Sequence, residues 1–177
     1  DGWVDRYFAG IKKPDRAIPR VTVAEPERQT AINRTVYEDN TPLPAVLISY
    51  QIPADRNPDS APLGVLNAIL SAGESSRLYE SLVYRDQIAQ SAGTFLDSKQ
   101  ATGAFAVYAI LAGGKSAGAG EAALKAEIAR VRDQLVSDAE LNEAKNQIIT
   151  GVLRQRETAD GKASTIASAV IIDGDAK

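Results

Sequence analysis

The run from Leu63 to Phe95 constrains the fold of this 177-residue chain more than any other segment. Leu63, Leu66 and Leu70, with Val65 and Ile69, fall at the spacing of an apolar helix. Gly73-Glu74-Ser75-Ser76 breaks that pattern. A second helix is expected to carry Arg77, Leu78, Leu82 and Ile88, followed by a strand of small residues.

Three residue types are missing altogether: there is no Cys, no His and no Met. Without Cys there is no disulfide, no thiolate nucleophile and no Cys-ligated metal. Without His the chain lacks the commonest general base and the commonest zinc ligand. Neither a Ser-His-Asp relay nor a complete H-x-x-E-H zinc helix can exist within it. Chemistry by carboxylates alone stays open. Hydrophobic residues make up 44% and aromatics only 6%, so a core is affordable and aliphatic side chains must fill it. The net charge is −3 with both signs interspersed, so no basic stripe exists and no nucleic-acid partner is expected. No apolar run reaches the ~20 residues of a membrane span. A soluble protein is expected, in cytoplasm or periplasm, since lack of Cys suits both.

The chain opens at Asp1 as though inside a helix, with Trp3, Val4, Tyr7, Phe8 and Ile11 as an apolar stripe. It stops at Asp173-Gly174-Asp175-Ala176-Lys177 with no closing element. The expectation is a piece of a longer polypeptide, whether excised or processed. Residues 1–28 read as the end of a preceding-domain helix plus a linker punctuated by Pro14, Pro19 and Pro26. Residues 29–177 read as a single α+β domain, truncated at its C-terminus.

Within that domain the expected strands are Thr30–Tyr37 and Ala45–Ile52, joined through Asp39-Asn40-Thr41-Pro42. In the second, Val46, Ile48, Tyr50 and Ile52 share one face. Asp59 or Ser60 is placed to cap the first central helix. After the central helices, Ser91–Asp97 and Thr102–Leu111 read as a hairpin. A Gly/Ala/Ser connector, Ala112–Gly120, leads into a helix with Leu124, Ile128, Val131 and Leu135 on one face. Ser137 with Glu140 makes a capping box, and Val136 with Leu141 a hydrophobic staple, for a helix to about Arg156. Its inward residues are expected to be Leu141, Ala144, Ile148 and Val152. A last helix, Asp160–Ile172, carries Ala163, Ile166, Ala167 and Val170. Strand pairs separated and followed by helices imply an α+β fold: a four-stranded antiparallel sheet with helices packed on one face.

Two motifs resemble catalytic or binding loops. Gly113-Gly114-Lys115-Ser116 lies between a strand and a helix, as a phosphate loop does, but the required earlier glycine is Ala109. The helix is also expected to begin several residues after Lys115. A surface loop is the better reading. Gly73-Glu74-Ser75-Ser76-Arg77 resembles a nucleophile elbow, yet its second glycine is Arg and no His exists to activate a serine. The structural reading has Gly73 ending one helix in the left-handed conformation, Ser75 or Ser76 capping the next, and Arg77 bonding carbonyls or a carboxylate. Glu140, Glu143, Glu121 and Lys125 read as capping and surface pairing. Tyr79, Tyr84 and Tyr108 read as core or rim residues.

Taken together, these segments resemble the insulinase/pitrilysin-like zinc metallopeptidases, a family with many bacterial members that includes the mitochondrial processing peptidase. Asp5-Arg6-Tyr7-Phe8-Ala9-Gly10-Ile11 is similar to the segment closing that family's preceding domain. Asn57-Pro58-Asp59 with Leu66-Asn67-Ala68-Ile69-Leu70 is similar to its first core helix. Gly73-Glu74-Ser75-Ser76-Arg77-Leu78-Tyr79 resembles its helix–helix junction, the most specific part, with Gly73, Ser76, Arg77 and Leu78 as the structural motif. Asp138-Ala139-Glu140-Leu141 with Ala144-Lys145 resembles its late capped helix. The order and spacing hold across about residues 5–172.

The resemblance implies a division of labour. A catalytic domain of the same polypeptide would carry the zinc motif, and this chain would be the metal-free domain that follows it, with no catalytic, metal or cofactor residue of its own. Two such two-domain halves, or a second subunit, would close around an unfolded peptide. The zinc would belong to the parent enzyme, a zinc-dependent endopeptidase, and the fragment alone would be inactive. The alternative is a domain of a catalytically inactive scaffold or assembly subunit partnering a peptidase. The half opposite the zinc often carries an Arg and, seven residues later, a Tyr in the helix after the junction. Aligned on Leu82, those positions are Val83 and Gln90, so the substrate-holding pair is lacking here. Arg85 is two residues out of register, turned by about 200° on an α-helix. The resemblance therefore implies the zinc-bearing half or an inactive partner.

Overall fold

A computed structural model describes residues 2–174 other than 13, 18, 20, 21, 24, 33 and 37–39. Its elements are α1 (Gly2–Phe8), β1 (Ala45–Ile52), α2 (Ser60–Ser71), a π-helix (Tyr79–Arg85), β2 (Ala89–Asp97), β3 (Gly103–Leu111), α3 (Ala117–Asp133), α4 (Asp138–Gln155) and α5 (Ala159–Ser168), which runs on into a π-helical turn (Ala169–Asp173).

Period-two apolar alternation makes Ala45–Ile52 a strand, and the hairpin Ala89–Leu111 supplies its partners. The order is β1-β3-β2, and both pairings are antiparallel. Val46 stands opposite Ala109, and Ile48 and Thr94 stand opposite Val107. One face therefore gathers Val46, Ile48, Val107 and Ala109 with Ala92 and Leu96, and the core forms there with Leu70, Leu78, Leu82, Leu111 and Leu124. Each of these leucines, sealed from water, contributes about 1.5–3 kcal/mol of burial. α2, the π-helix and α3 all pack on this face. α3 approaches closely because Gly120 faces Leu111: an added Cβ would lie 2.5 Å from Leu111 Cδ2. α4 forms an outer layer on α2, where Ala144 meets Ala68 and Ile69.

Among the described residues, the helices that pack on the sheet lie on the core face and leave the opposite face open. Leu47, Phe95 and Ile110 stand exposed on it, with Tyr108 lying over Gly93.

Several expectations are corrected. The sheet has three strands among the described residues, not four. Residues 30–32 and 34–36 of the expected first strand are exposed and form no ladder; 33 and 37 lie outside the described residues, as does part of the following turn. Thr-Ala-Ile-Asn-Arg-Thr-Val offers polar residues on both of its alternating faces, so no strong burial pattern fixes its register. The helix ends differ as well. α3 stops at Asp133, so Leu135 falls beyond it and is 100% exposed. α4 buries only Ala144 among its residues, because α4 has 18 residues and α2 only 12. Ile148, Ile149, Val152 and Leu153 overhang the end of α2 and remain exposed. Asp59 sits at the N-cap of α2 without a side-chain capping bond; Asn57 Oδ1 instead accepts the Asp59 N–H at 2.9 Å. Ile88 lies past the helix, packed on the core.

Candidate functional site

The helix–helix junction is built as its glycine requires. α2 ends at Ser71, and Gly73 takes φ +82°, open to glycine at no steric cost. Neither following serine caps the next helix through its hydroxyl, contrary to expectation. Ser76 is buried and donates to the Gly73 carbonyl at 2.7 Å, and Ser75 donates to Glu143 Oε1 at 2.8 Å. Both hydroxyls are thus engaged, that of Ser76 by a carbonyl and that of Ser75 by the Glu143 carboxylate at the surface, and the chain has no His to activate either.

Arg77 leads the second helix and reaches α4. Its Nε donates to Glu140 Oε1 at 2.5 Å and its Nη2 to Glu140 Oε2 at 2.9 Å, a two-point fork between residues 63 apart. The side chains are only 18% and 28% exposed, so water screens the pair weakly. The hydrogen bond from Arg77 holds the Glu140 carboxyl below its ordinary value, helped by the charge of Arg77 and the Ser137 backbone amide against the cost of burial. The same bond raises the Arg77 guanidinium. Ser137 caps α4 as expected, accepting the Glu140 N–H at 3.3 Å.

A second network lies beneath the π-helix. Glu127 on α3 is 2% exposed and accepts from Ser81 Oγ at 2.6 Å. Arg130 faces the same carboxylate oxygen at 3.0 Å and Arg85 at 3.9 Å. Arg85 also donates to Ser81 Oγ at 2.8 Å and pairs with Asp86 at 2.9 Å. The wide π turn, with Asp86 N–H bonded to the Ser81 carbonyl, brings Ser81 and Arg85 over Glu127. Gln87, at φ 49°, then turns the chain into β2. A third set of contacts ties α2 to β2: Thr94 Oγ1 donates to Asn67 Oδ1 at 2.7 Å and is in close contact with Ser71 Oγ.

Sequence reading missed Glu127. Its signal was available: an acidic residue at the third position after Leu124, inside the stripe that continues to Ile128 and Val131. Arg77 and Glu140 were each singled out but not joined, since no local spacing links them.

Val83 lies on the π-helix, half-buried against the core. Gln90 is exposed on β2, at the irregularity between Ala89 and Ser91. The two positions therefore occupy different elements, and Arg85 is engaged in the Glu127 network. Around the glycine-rich connector, α3 begins at Ala117, immediately behind Ser116 rather than several residues on. Ser116 Oγ accepts the Ala119 N–H at 3.2 Å and so occupies its own helix terminus. Ala109, where a phosphate loop needs glycine, is buried in β3.

Two open concavities flank α4. One, of about 670 Å³, is lined by α4 residues including Asn142, Asn146, Thr150 and Arg154. The other, of about 460 Å³, is apolar and bounded by Val65, Leu66, Ile69 and Val136. Among the described residues no three acidic side chains gather closely enough to hold a metal ion. With no His or Cys in the chain, its donors do not fit a zinc site. No helix among the described residues is long and apolar enough to cross a membrane.

These features coincide with a known group of proteins. Residues 2–148 match the family described as Peptidase M16 inactive domain. The zinc protease PqqE of Helicobacter pylori (strain ATCC 700392 / 26695) is 30% identical over 145 residues, which are 79% of this chain and 32% of that protein. The chain thus spans about a third of the length of the curated relative it matches. A protease structure from Helicobacter pylori superposes with a TM-score of 0.88 at 23% identity, covering 97% of this chain and 42% of its own. An inactive peptidase domain from Bordetella parapertussis gives a TM-score of 0.65 at 23% identity, covering 75% of this chain and 71% of its own. The glycine junction, the capped α4 and the antiparallel sheet under its helices belong to one inheritance: the chain is a member of the M16 peptidase inactive-domain family.

Proposed function

We propose that this chain is the metal-free, substrate-enclosing and interface domain of a zinc-dependent endopeptidase. The observation that carries the reading is the family match across residues 2–148 in a chain with no His and no Cys. Residues 1–28 are taken as the end of a preceding-domain helix plus linker, and residues 29–177 as the domain proper. Its partners are a catalytic domain of the same polypeptide, which holds the zinc and supplies the metal-activated water for peptide hydrolysis, and a second half or subunit. The substrate is an extended peptide.

This chain's own part is to shape and close the chamber. The uncovered sheet face, with Leu47, Phe95, Tyr108 and Ile110 and few charges, suits sequence-tolerant contact with an unfolded peptide. The Arg77–Glu140 fork and the Glu127 network hold the helical layer that backs this face. Val83 and Gln90 supply neither a cation nor a phenol, so the substrate-holding Arg/Tyr pair would come from the other half.

A photo-crosslinking residue at Phe95 of the full-length parent protein tests the reading. Capture of an unfolded peptide there, and none from the exposed position Lys115, is expected. Capture at Lys115 but not at Phe95 would overturn it. If the preceding domain lacks H-x-x-E-H, the scaffold alternative replaces the enzyme.

A further inference from the structure

Gln51, near the end of β1, holds a stretch of the linker. Its Oε1 accepts the Arg28 N–H at 2.9 Å, and its Nε2 donates to the Pro26 carbonyl at 3.1 Å. One side-chain amide thus uses its acceptor and its donor on groups two residues apart. Pro26 offers a carbonyl but no N–H, and its fixed φ limits how the held stretch can turn. Among the described residues, no other hydrogen bond or ion pair joins 12–40 to the rest of the chain. α1 buries no residue, so its own packing does not place it. Yet the Helicobacter pylori protease structure superposes over 97% of this chain, a share that leaves no room to omit the linker. The linker's course is therefore part of a fold shared with a chain more than twice as long.

We propose that Gln51 is a linker clamp: by gripping Pro26 and Arg28 it fixes the point from which α1, and the preceding domain that α1 ends, leaves this domain. The clamp is read from this chain alone; that a preceding domain hangs from it rests on the function proposed above. With the clamp closed, the free tether between α1 and the domain is residues 12–25; with it open, the tether is residues 12–44. Reach grows as the square root of length, so release lengthens it about 1.5-fold. The effective concentration of one domain at the other falls about 3–4-fold, as the −3/2 power of length. Gln51→Leu removes both bonds. Gln51→Glu keeps the acceptor for the Arg28 N–H and loses the donor to the Pro26 carbonyl.

The chain has no Cys, so introduced cysteine pairs carry spin labels without background. Glu27→Cys with Lys115→Cys watches the clamped stretch, and Gly10→Cys with Lys115→Cys watches α1. A Cβ at Gly10 meets no atom within 4 Å. Double electron–electron resonance should give a narrow Glu27–Lys115 distance distribution with Gln51 intact. Gln51→Leu should broaden it and widen the Gly10–Lys115 spread about 1.5-fold. Gln51→Glu should do so by less, and it decides the matter if leucine unfolds the domain. Ser49→Leu, an apolar gain on the same face of β1, should leave both distributions as they are. A Glu27 distribution unmoved by the Gln51 variants would overturn the clamp, as would equal broadening in Ser49→Leu. A freed Glu27 with an unmoved Gly10 would overturn its hold on α1. A preceding domain without H-x-x-E-H would sink the peptidase reading and leave the clamp standing.

Discussion

Breaking the Arg77–Glu140 fork should destabilise the domain by an amount that a double-mutant cycle can isolate. Two charge-assisted bonds of 2.5 and 2.9 Å join side chains that are 18% and 28% exposed. Unit charges ~4 Å apart attract by about 4 kcal/mol at the effective dielectric of such a site, and desolvation offsets part of that. Hydrogen bonds to charged groups net about 1.5–3 kcal/mol in stability series. A coupling energy of about 2 kcal/mol follows for Arg77→Gln against Glu140→Gln. Gln at 140 retains the capping-box chemistry, so the cycle reports on the fork alone. Each single variant should lose more than its share of the coupling, and the double variant little more than either single. Urea unfolding followed by far-ultraviolet circular dichroism is the assay, because the single tryptophan, Trp3, is 82% exposed and reports poorly on the core. The matching thermal shift is about 2–4 °C per kcal/mol. A coupling below about 0.5 kcal/mol would refute the reasoning and reduce the fork to a surface ion pair.

Acid should weaken the same contact. The Glu140 carboxyl is held below its ordinary value of 4.5, so its stabilisation is full above that value and is lost as pH falls through the lowered folded one. The stability gap between wild type and Glu140→Gln should therefore close only below about the ordinary carboxylate range in a pH series of urea titrations. Glu127→Ala should cost about 1–3 kcal/mol by leaving the buried Ser81 hydroxyl without its acceptor, and Glu127→Gln less, in the same assay. Gly120→Ala should cost about 1–3 kcal/mol through collision with buried Leu111. Gly73→Ala, whose new Cβ meets no atom within 4 Å, should cost about 1 kcal/mol from its φ of +82° alone.

What the sequence revealed is what local physics decides. Alternation located β1, turn residues located the β2–β3 hairpin, and Ser137 marked the start of α4 to the residue. The junction at Gly73 was readable because only glycine takes its φ freely. Features settled by distant partners were not readable. Arg77 and Glu140 meet across 63 residues, and nothing in either segment names the other. The π turn at Tyr79–Arg85 has no sequence periodicity of its own and widens where Ser81 must reach Glu127. Segment 30–37 has strand-like residues but weak facial alternation, so its state depends on what lies beside it. The expected inward stripe of α4 holds at Ala144 and, half-buried, at Leu141, but fails at Ile148 and Val152, which are exposed because the 12-residue α2 is too short to cover the far half of the 18-residue α4. Burial there depends on neighbours, which periodicity along one helix cannot supply.

The central claim is that hydrolytic chemistry lies in a neighbouring domain and that this chain supplies framework. Zinc content and peptide turnover measured on the purified chain, then on the same chain joined to the preceding domain of its parent, test it most directly. The expected result is no stoichiometric zinc and no cleavage from the chain alone, with stoichiometric zinc appearing on joining and zinc-dependent cleavage of an unfolded peptide once the second half is added. Zinc-dependent cleavage by the isolated chain would contradict the account.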